Sequence, residues 1–232
     1  MNYKQVIEGT FLERPNRFIA YVNIGGRKET VHVKNTGRCK ELLITGSKVY
    51  LSVADNPNRK TKYDLIAVEK QREGKNPLLI NMDSQIVNDV AEEWLKGGNL
   101  FSENAVVRRE VTYGKSRFDF YIEDMDRKVF LEVKGVTLEH EGVVSFPDAP
   151  TERGIKHIRE LMQCMEEGYE AYILFVIQMK DVTSFHPNDS THRAFGDALR
   201  QANNAGVKIL AYDCKVTPKS IELDGQIVVQ YE

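Results

Sequence analysis

From Arg17 to Lys70 the chain alternates apolar and polar residues in short runs, the period of half-buried strands. "RFIAYVNI" alternates, Gly25 and Gly26 supply a hairpin turn, and "KETVHVK" runs back. "NTGRCKELL" interrupts with a turn. "SKVYLSVAD" and "TKYDLIAVEK" are two further alternating strands, joined by the polar loop "NPNRK". Four or five short strands in about 80 residues predict a small closed barrel of the OB type. "REGKNP" then reads as a linker.

Beyond it the period changes. "DSQIVNDVAEEWLKGG" is a helix capped by Asp83 or Ser84, with Ile86, Val87, Val90, Ala91, Trp94 and Leu95 on one stripe. Gly97 and Gly98 end it. Three strands follow: Val106 to Tyr113, Arg117 to Glu123, and Lys128 to Val136. "TLEHEGVVSFPDAP" reads as a loop. A helix from Thr151 to Glu167 turns Ile155, Ile158, Leu161, Met162 and Met165 inward. "AYILFVIQ" is a strand buried on both faces. A helix from Thr191 to Asn204 leads into the strand "VKILAYDCKV". The order predicts a mixed α/β sheet flanked by helices. The expected organisation is a barrel over 1–80 and an α/β domain over 81–232.

Composition adds a charge asymmetry. Residues 1–80 hold 15 Lys+Arg against 8 Asp+Glu, and the remainder holds 17 against 26, although the net charge is only −2. A basic module followed by an acidic one suggests separate tasks, with phosphate binding assigned to the first. With 41% hydrophobic and 28% charged residues the chain reads as an ordinary globular protein. The apolar run "AYILFVI" is far shorter than a membrane span, and "MNYKQVIEGT" lacks a signal-peptide layout. Three cysteines without a CxxC fit a cytoplasmic chain with reduced thiols. No spacing matches a zinc site, and "HEGVV" at His140 is not HExxH.

The chemistry concentrates in "SRFDFYI" and "KVFLEVK", which flank a turn around "DMDR". With Asp124 to Arg127 as a hairpin loop, Phe118 faces Val133, Phe120 faces Leu131 and Ile122 faces Val129. That face is wholly apolar. The other face collects Asp119 opposite Glu132, and Arg117 opposite Lys134. Opposed residues have Cβ atoms about 4.5–5.5 Å apart. Two carboxylates that close repel each other unless a cation lies between them. Mg²⁺ or Mn²⁺ suits this pair, because Mg²⁺ takes oxygen ligands at about 2.0–2.1 Å and keeps several waters. Lys134 would orient a water or meet charge on a phosphoryl oxygen. A register slip of one residue would move Asp119 to the opposite face. A Glu-x-Lys strand with a solvated ion pair is the simpler alternative.

The stretches "RPNRF", "VHVKNTGR", "RREV", "SRFDF", "FLEVKGVTL", "FPDAPTERGIKHIREL" and "FVIQ" resemble the sugar fermentation stimulation protein A family nearly end to end. The resemblance implies an N-terminal OB-like barrel and a nuclease fold of the PD-(D/E)xK class. It also implies DNA binding, a link to sugar (maltose) utilisation, and metal-dependent nuclease activity. The class motif maps onto Asp119 as the first metal-binding acid and onto Glu132-Val133-Lys134 as the E-x-K element. Phe118-Asp119 stands where that motif has Pro-Asp. His192 stands where the family is expected to carry an acid.

Other residues are weighed beside these. Glu110 is a candidate extra acid, against pairing with a nearby arginine. Glu92 and Glu93 are set against a solvated helix face. Gln178, at the end of a buried strand, needs hydrogen-bond partners and is a candidate support for the site. Thr151, Arg153 and Lys156 open a helix whose N-terminus favours a phosphate, with Thr151 as a plain N-cap the simpler view. His157 reads as a helix-surface histidine. In the barrel, Arg14, Arg17, Arg38, Arg59, Lys60 and Lys62 are candidate phosphate contacts, interleaved with Phe18, Tyr21, Tyr50 and Tyr63.

The expected function is therefore nucleic-acid binding with phosphodiester hydrolysis at a Mg²⁺ or Mn²⁺ site held by Asp119 and Glu132. DNA is the first expected partner and RNA the second, with no membrane. Binding without turnover is the rival. The oligomeric state stays open, a homodimer included. The lack of a helix-turn-helix counts against base-specific operator reading.

Overall fold

The computed structural model describes residues 1–35, 37–56 and 58–231. Thr36 of "VHVKNTGR" and "NTGRCKELL" and Pro57 of "NPNRK" lie outside them. The first module has six strands: β1 Val6–Asn16, β2 Ile19–Ile24, β3 Arg27–Val33, β4 Lys48–Val53, β5 Tyr63–Arg72 and β6 Lys75–Asn81. Pairings run in a ring, β1 to β2, β2 to β3, β3 to β5, β5 to β4 and β4 back to β1. This is the five-stranded OB arrangement. Phe11, Val22, Val31, Val49, Leu51 and Leu65 fill its interior.

Two elements differ from the sequence expectation. β1 precedes Arg17, in a stretch with weak alternation: only Phe11 is fully buried, and the pairing with β2 shifts register at Glu13 and Asn16. "REGKNP" is not a linker. Gly74, at φ 66°, turns β5 into β6, whose polar start gives way to the buried Leu78 and Ile80.

The second module comprises α1 Ile86–Lys96, β7 Val106–Tyr113, β8 Ser116–Asp124, β9 Arg127–Val136, β10 Leu138–His140, β11 Val143–Phe146 and α2 Glu152–Glu166. It continues with β12 Glu170–Ile177, β13 Ser184–Pro187, α3 Asp189–Ala205, β14 Lys208–Thr217, β15 Ser220–Gln226 and β16 Val228–Val229. Its main sheet has the order β15-β14-β12-β9-β8-β7, with β9, β12 and β14 parallel. Both faces are covered. Alternate residues of β12 split between two cores: Leu174 and Val176 pack with Val87, Val90 and Leu95 of α1. Ile173 and Phe175 share a core with Ile158 and Leu161 of α2 and Leu199 of α3.

The stretch "TLEHEGVVSFPDAP" contains β10 and β11, which form a small sheet with β13 and β16. Thr151 caps α2 as expected, accepting from the Gly154 N–H at 3.0 Å. α3 starts earlier than expected and bends at His192, where φ is −155°. Its Nδ1 accepts from the Thr151 N–H at 3.2 Å, so the bend docks α3 onto the start of α2.

The two modules meet through charge. Lys34 bonds to Asp83 at 2.8 Å, Lys70 to Glu139 at 2.6 Å, and Arg72 to Asp181 at 3.1 Å. Part of the basic excess of the first module thus neutralises acids of the second. Among the described residues no helix is long and apolar enough to cross a membrane.

Candidate functional site

The β8–β9 hairpin turns at Met125, which takes φ 55°, and Asp126. Its register is the expected one: Ile122 pairs with Val129 and Phe120 with Leu131. Phe120, Ile122, Val129, Leu131 and Val133 are buried in the core beside α1, but Phe118, expected on that face opposite Val133, packs instead with Phe130 and the His157 ring on the α2 side. Toward Asp119 the ladder stops. The outer pairs expected from the sequence, Asp119 with Glu132 and Arg117 with Lys134, are not part of it. The Val133 N–H donates instead to Asp119 Oδ2 at 2.8 Å. A side chain takes the place of a backbone acceptor, while β9 remains paired with β12 as far as Val136. The ladder ends where the acids stand.

The opposite face of β9 is not solvated either, because α2 covers it. Glu132 is only 4% exposed. Its Oε1 accepts from Lys134 Nζ at 2.5 Å and forms a close contact with His157 Nδ1. Its Oε2 is buried and has no hydrogen-bond partner among the described residues. Buried carboxylate oxygens are rarely left so. Asp119 Oδ1 accepts from Asn88 Nδ2 of α1 at 2.8 Å.

Electrostatics link the two acids. Burial, and next the Glu132 charge, hold the Asp119 carboxyl above the usual aspartate range, against the Val133 N–H and Lys134. Burial pushes Glu132 up as well, but Lys134 and His157 overcome it and hold that carboxyl below the usual glutamate range. Glu132 thus stays ionised, and Asp119 feels its charge.

These residues fit a small divalent cation. The free lone pairs are those of Glu132 Oε2 and the second lone pairs of Asp119, all hard oxygen donors. Among the described residues no group of three or more His, Cys, Asp and Glu is placed to share a metal ion. A two-carboxylate site is the arrangement Mg²⁺ uses when water and substrate oxygens complete its shell.

Several expectations need correction. His157 is not a surface histidine: it is 5% exposed and touches Glu132. Its position was legible, since 157, 161 and 164 continue the buried stripe of α2. Asn88 was missed; on α1 it is the residue that reaches Asp119, whereas Glu92 bonds Lys96 and Arg109, and Glu93 bonds the N-terminal amine. Glu110 lies across from Asp119 on β7 at φ 54°, but its side chain is exposed and pairs with Arg117 at 3.5 Å. Gln178 is buried and donates to Asn81 Oδ1 and the Asp83 carbonyl, so it ties the module junction rather than the acids. It sits beside Gly135, next to Lys134, where a Cβ would lie 2.7 Å from Gln178 Oε1.

The basic candidates divide in the same way. The Arg14 guanidinium donates to four carbonyls, those of Arg17, Asn35, Gly37 and Arg38, and ties these backbone positions together. Arg59 forms a bidentate pair with Asp64 at 2.8 and 2.7 Å, so its charge is neutralised within the barrel. Arg17, Arg38 and Lys40 are exposed and line a groove of about 550 Å³ floored by Phe11 and Leu43. Lys60 is exposed, and Lys62 lies over the Tyr63 ring. Tyr50 is buried and bonds Glu69, while Phe18 is 44% exposed under Arg17. Lys156 donates to the Lys115 carbonyl, and Arg153 Nε reaches His157 Nε2 at 3.4 Å.

Residues 85–220 match the family model described as the sugar fermentation stimulation protein RE domain, and residues 12–76 match the N-terminal OB domain of the same family. The sugar fermentation stimulation protein homolog of Desulfitobacterium hafniense (strain DSM 10664 / DCB-2) is 58% identical over 99% of this chain and 98% of its own. That of Clostridium beijerinckii is 54% identical over 99% of both. The structure of Pyrococcus furiosus SfsA in complex with Ca²⁺ aligns with a TM-score of 0.85 and 29% identity, covering 99% of this chain and 98% of that one. The chain belongs to the sugar fermentation stimulation protein family.

Proposed function

We propose that the protein binds nucleic acid, DNA first, and hydrolyses phosphodiester bonds with a divalent cation held by Asp119 and Glu132. The observation that carries this reading is the buried Glu132 Oε2, which has no hydrogen-bond partner and belongs to a carboxylate kept ionised beside Asp119. The Ca²⁺ in the Pyrococcus furiosus relative supports it, because Ca²⁺ shares the oxygen preference of Mg²⁺. When bound, Mg²⁺ or Mn²⁺ supplies positive charge for the phosphoryl oxygens and makes a water easier to ionise.

The chain's own residues do the rest. Lys134 is 17% exposed and bonded to Glu132, so its ammonium sits at the carboxylate pair, where it stabilises charge developing on the attacked phosphate. Asn88 and the Val133 N–H hold both oxygens of Asp119. Arg17, Arg38 and Lys40 give the barrel an exposed cationic groove for the substrate backbone.

Purified protein incubated with supercoiled DNA, single-stranded DNA and RNA, with Mg²⁺, Mn²⁺ or EDTA, tests the reading. Cleavage is expected with metal and not with EDTA, and it should be lost in Asp119→Ala and Lys134→Ala. Cleavage that persists in both variants would remove the proposed site. Binding with no cleavage on any substrate would favour a DNA-binding regulator without turnover.

The groove gives a separate expectation. Neutralising Arg17, Arg38 and Lys40 together should weaken binding to duplex DNA and flatten its salt dependence. The slope should fall by roughly 0.9 for each phosphate that the groove no longer neutralises. Arg14→Ala should lower stability instead and leave the slope near wild type, because its donors hold backbone carbonyls. Binding titrations at several salt concentrations separate the two outcomes.

A further inference from the structure

We infer that His157 is the positioning residue of the cation site: it donates a hydrogen bond to Glu132 Oε1 and so leaves Oε2 free for the ion. This rests on the metal-site reading above. His157 projects from α2 and is 5% exposed, and its Nδ1 meets Glu132 Oε1. The tautomer follows from the other side of the ring. Arg153 Nε, which can only donate, approaches His157 Nε2 at 3.4 Å. Nε2 is then the acceptor and Nδ1 carries the proton, which points at Glu132. The Phe118 ring lies edge-on to the imidazole, with centroids 6.1 Å apart, and restrains its tilt.

Lys134 also bonds Oε1. Two donors therefore converge on one oxygen of Glu132, and the other oxygen has none. Such asymmetry is unusual for a buried carboxylate that serves only as a counter-ion, since lone pairs on both oxygens seek partners. It fits a ligand whose second oxygen is reserved. Lys134 sits on the same strand as Glu132 and has a flexible stem, whereas His157 arrives from another layer with two torsions. His157 is thus the group that fixes the carboxylate plane. Asp119 has a counterpart to this contact: Asn88, arriving from α1, holds its Oδ1. One residue from each flanking layer aims one acid.

Isothermal titration of the full chain with Mn²⁺ and with Ca²⁺ tests this without relying on activity. Wild type, Asp119→Asn, His157→Leu, His157→Asn and His157→Gln are compared. The Asn amide nitrogen lies near the place of Nδ1, and the Gln nitrogen near that of Nε2. His157→Leu and His157→Gln should lose about 10- to 100-fold in affinity, the usual cost of removing a group that orients a metal ligand. His157→Asn should stay within about threefold of wild type by keeping that donor. If His157→Leu does not fold, the Asn and Gln variants carry the comparison. Equal affinity in wild type, Gln and Leu variants, with Asp119→Asn inactive in binding, would overturn the role of His157 alone. Absence of binding by wild type, or unchanged binding by Asp119→Asn, would overturn the metal site and the role of His157 with it.

Discussion

Glu132→Gln is expected to slow metal-dependent cleavage sharply while leaving the fold and metal-free nucleic-acid binding intact. Gln keeps the volume of Glu and an oxygen for Lys134 and His157, so the close packing under α2 survives. Only the charge goes, together with the ionised Oε2 that has no partner among the described residues. A bound divalent cation contributes several kcal/mol to stabilising transition-state charge, and loss of a carboxylate that holds it forfeits that contribution. At about 1.4 kcal/mol per tenfold, the rate should fall roughly 10²- to 10³-fold. Lys134 is partly exposed and can turn its freed ammonium toward water. Cleavage rates in Mg²⁺, set against binding in EDTA and thermal unfolding of the same preparation, read all three quantities. A variant that cuts at the wild-type rate would contradict Glu132 as a ligand.

The largest effect on stability is expected at the junction, from Lys70→Met. Lys70 Nζ reaches both the Glu139 backbone carbonyl, at 2.5 Å, and its Oε2, at 2.6 Å. Glu139 is 4% exposed, and its Oε1 accepts from the Gly142 N–H. Met keeps the apolar stem but leaves a buried carboxylate without its cation. Breaking a buried pair in this way costs about 3–5 kcal/mol, and the low end applies because Lys70 remains partly open to solvent.

The pH dependence has a definite sign. Burial raises Glu139, but Lys70 and the Gly142 N–H overcome it and hold its carboxyl below the usual glutamate range. That contribution is fully present above the unfolded value of about 4.3 and disappears as pH falls through the folded value. In Lys70→Met burial acts with less opposition, so protonation relieves the penalty at a higher pH. The gap between wild type and variant should be widest near neutrality and narrow as the medium is acidified. Urea unfolding across that range measures it. A gap that stays constant would show that Glu139 is not the group whose pairing is broken.

The interior of the hairpin was legible in the sequence because its alternation is strict. "SRFDFYI" and "KVFLEVK" predict the register that is observed from the Phe120–Leu131 pair to the Asp124–Arg127 pair, with Phe120, Ile122, Val129 and Leu131 buried. What alternation did not carry was the end of the ladder, where the Asp119 side chain replaces a backbone acceptor. It also gave no sign that the charged face of β9 lies under α2. His157 was the available signal, on the inward stripe of that helix with Leu161 and Cys164. Asn88 carried none, being one polar residue among several on α1.

The basic set shows the same limit. Arg14 and Arg38 are chemically alike and close in sequence, yet one is saturated by four carbonyls and the other faces solvent. Only tertiary structure separates them. The charge asymmetry was visible, but part of its cause lies in the junction pairs of Lys34, Lys70 and Arg72. β1 and β6 were obscured by bulges and by a polar start, where the strand period fails locally.

The shared ion is tested most directly by anomalous diffraction from crystals soaked in Mn²⁺. A single strong peak is expected within coordination distance of both Glu132 Oε2 and an oxygen of Asp119. Crystals that hold Mn²⁺ only elsewhere, with Glu132 Oε2 still facing protein alone, would contradict it.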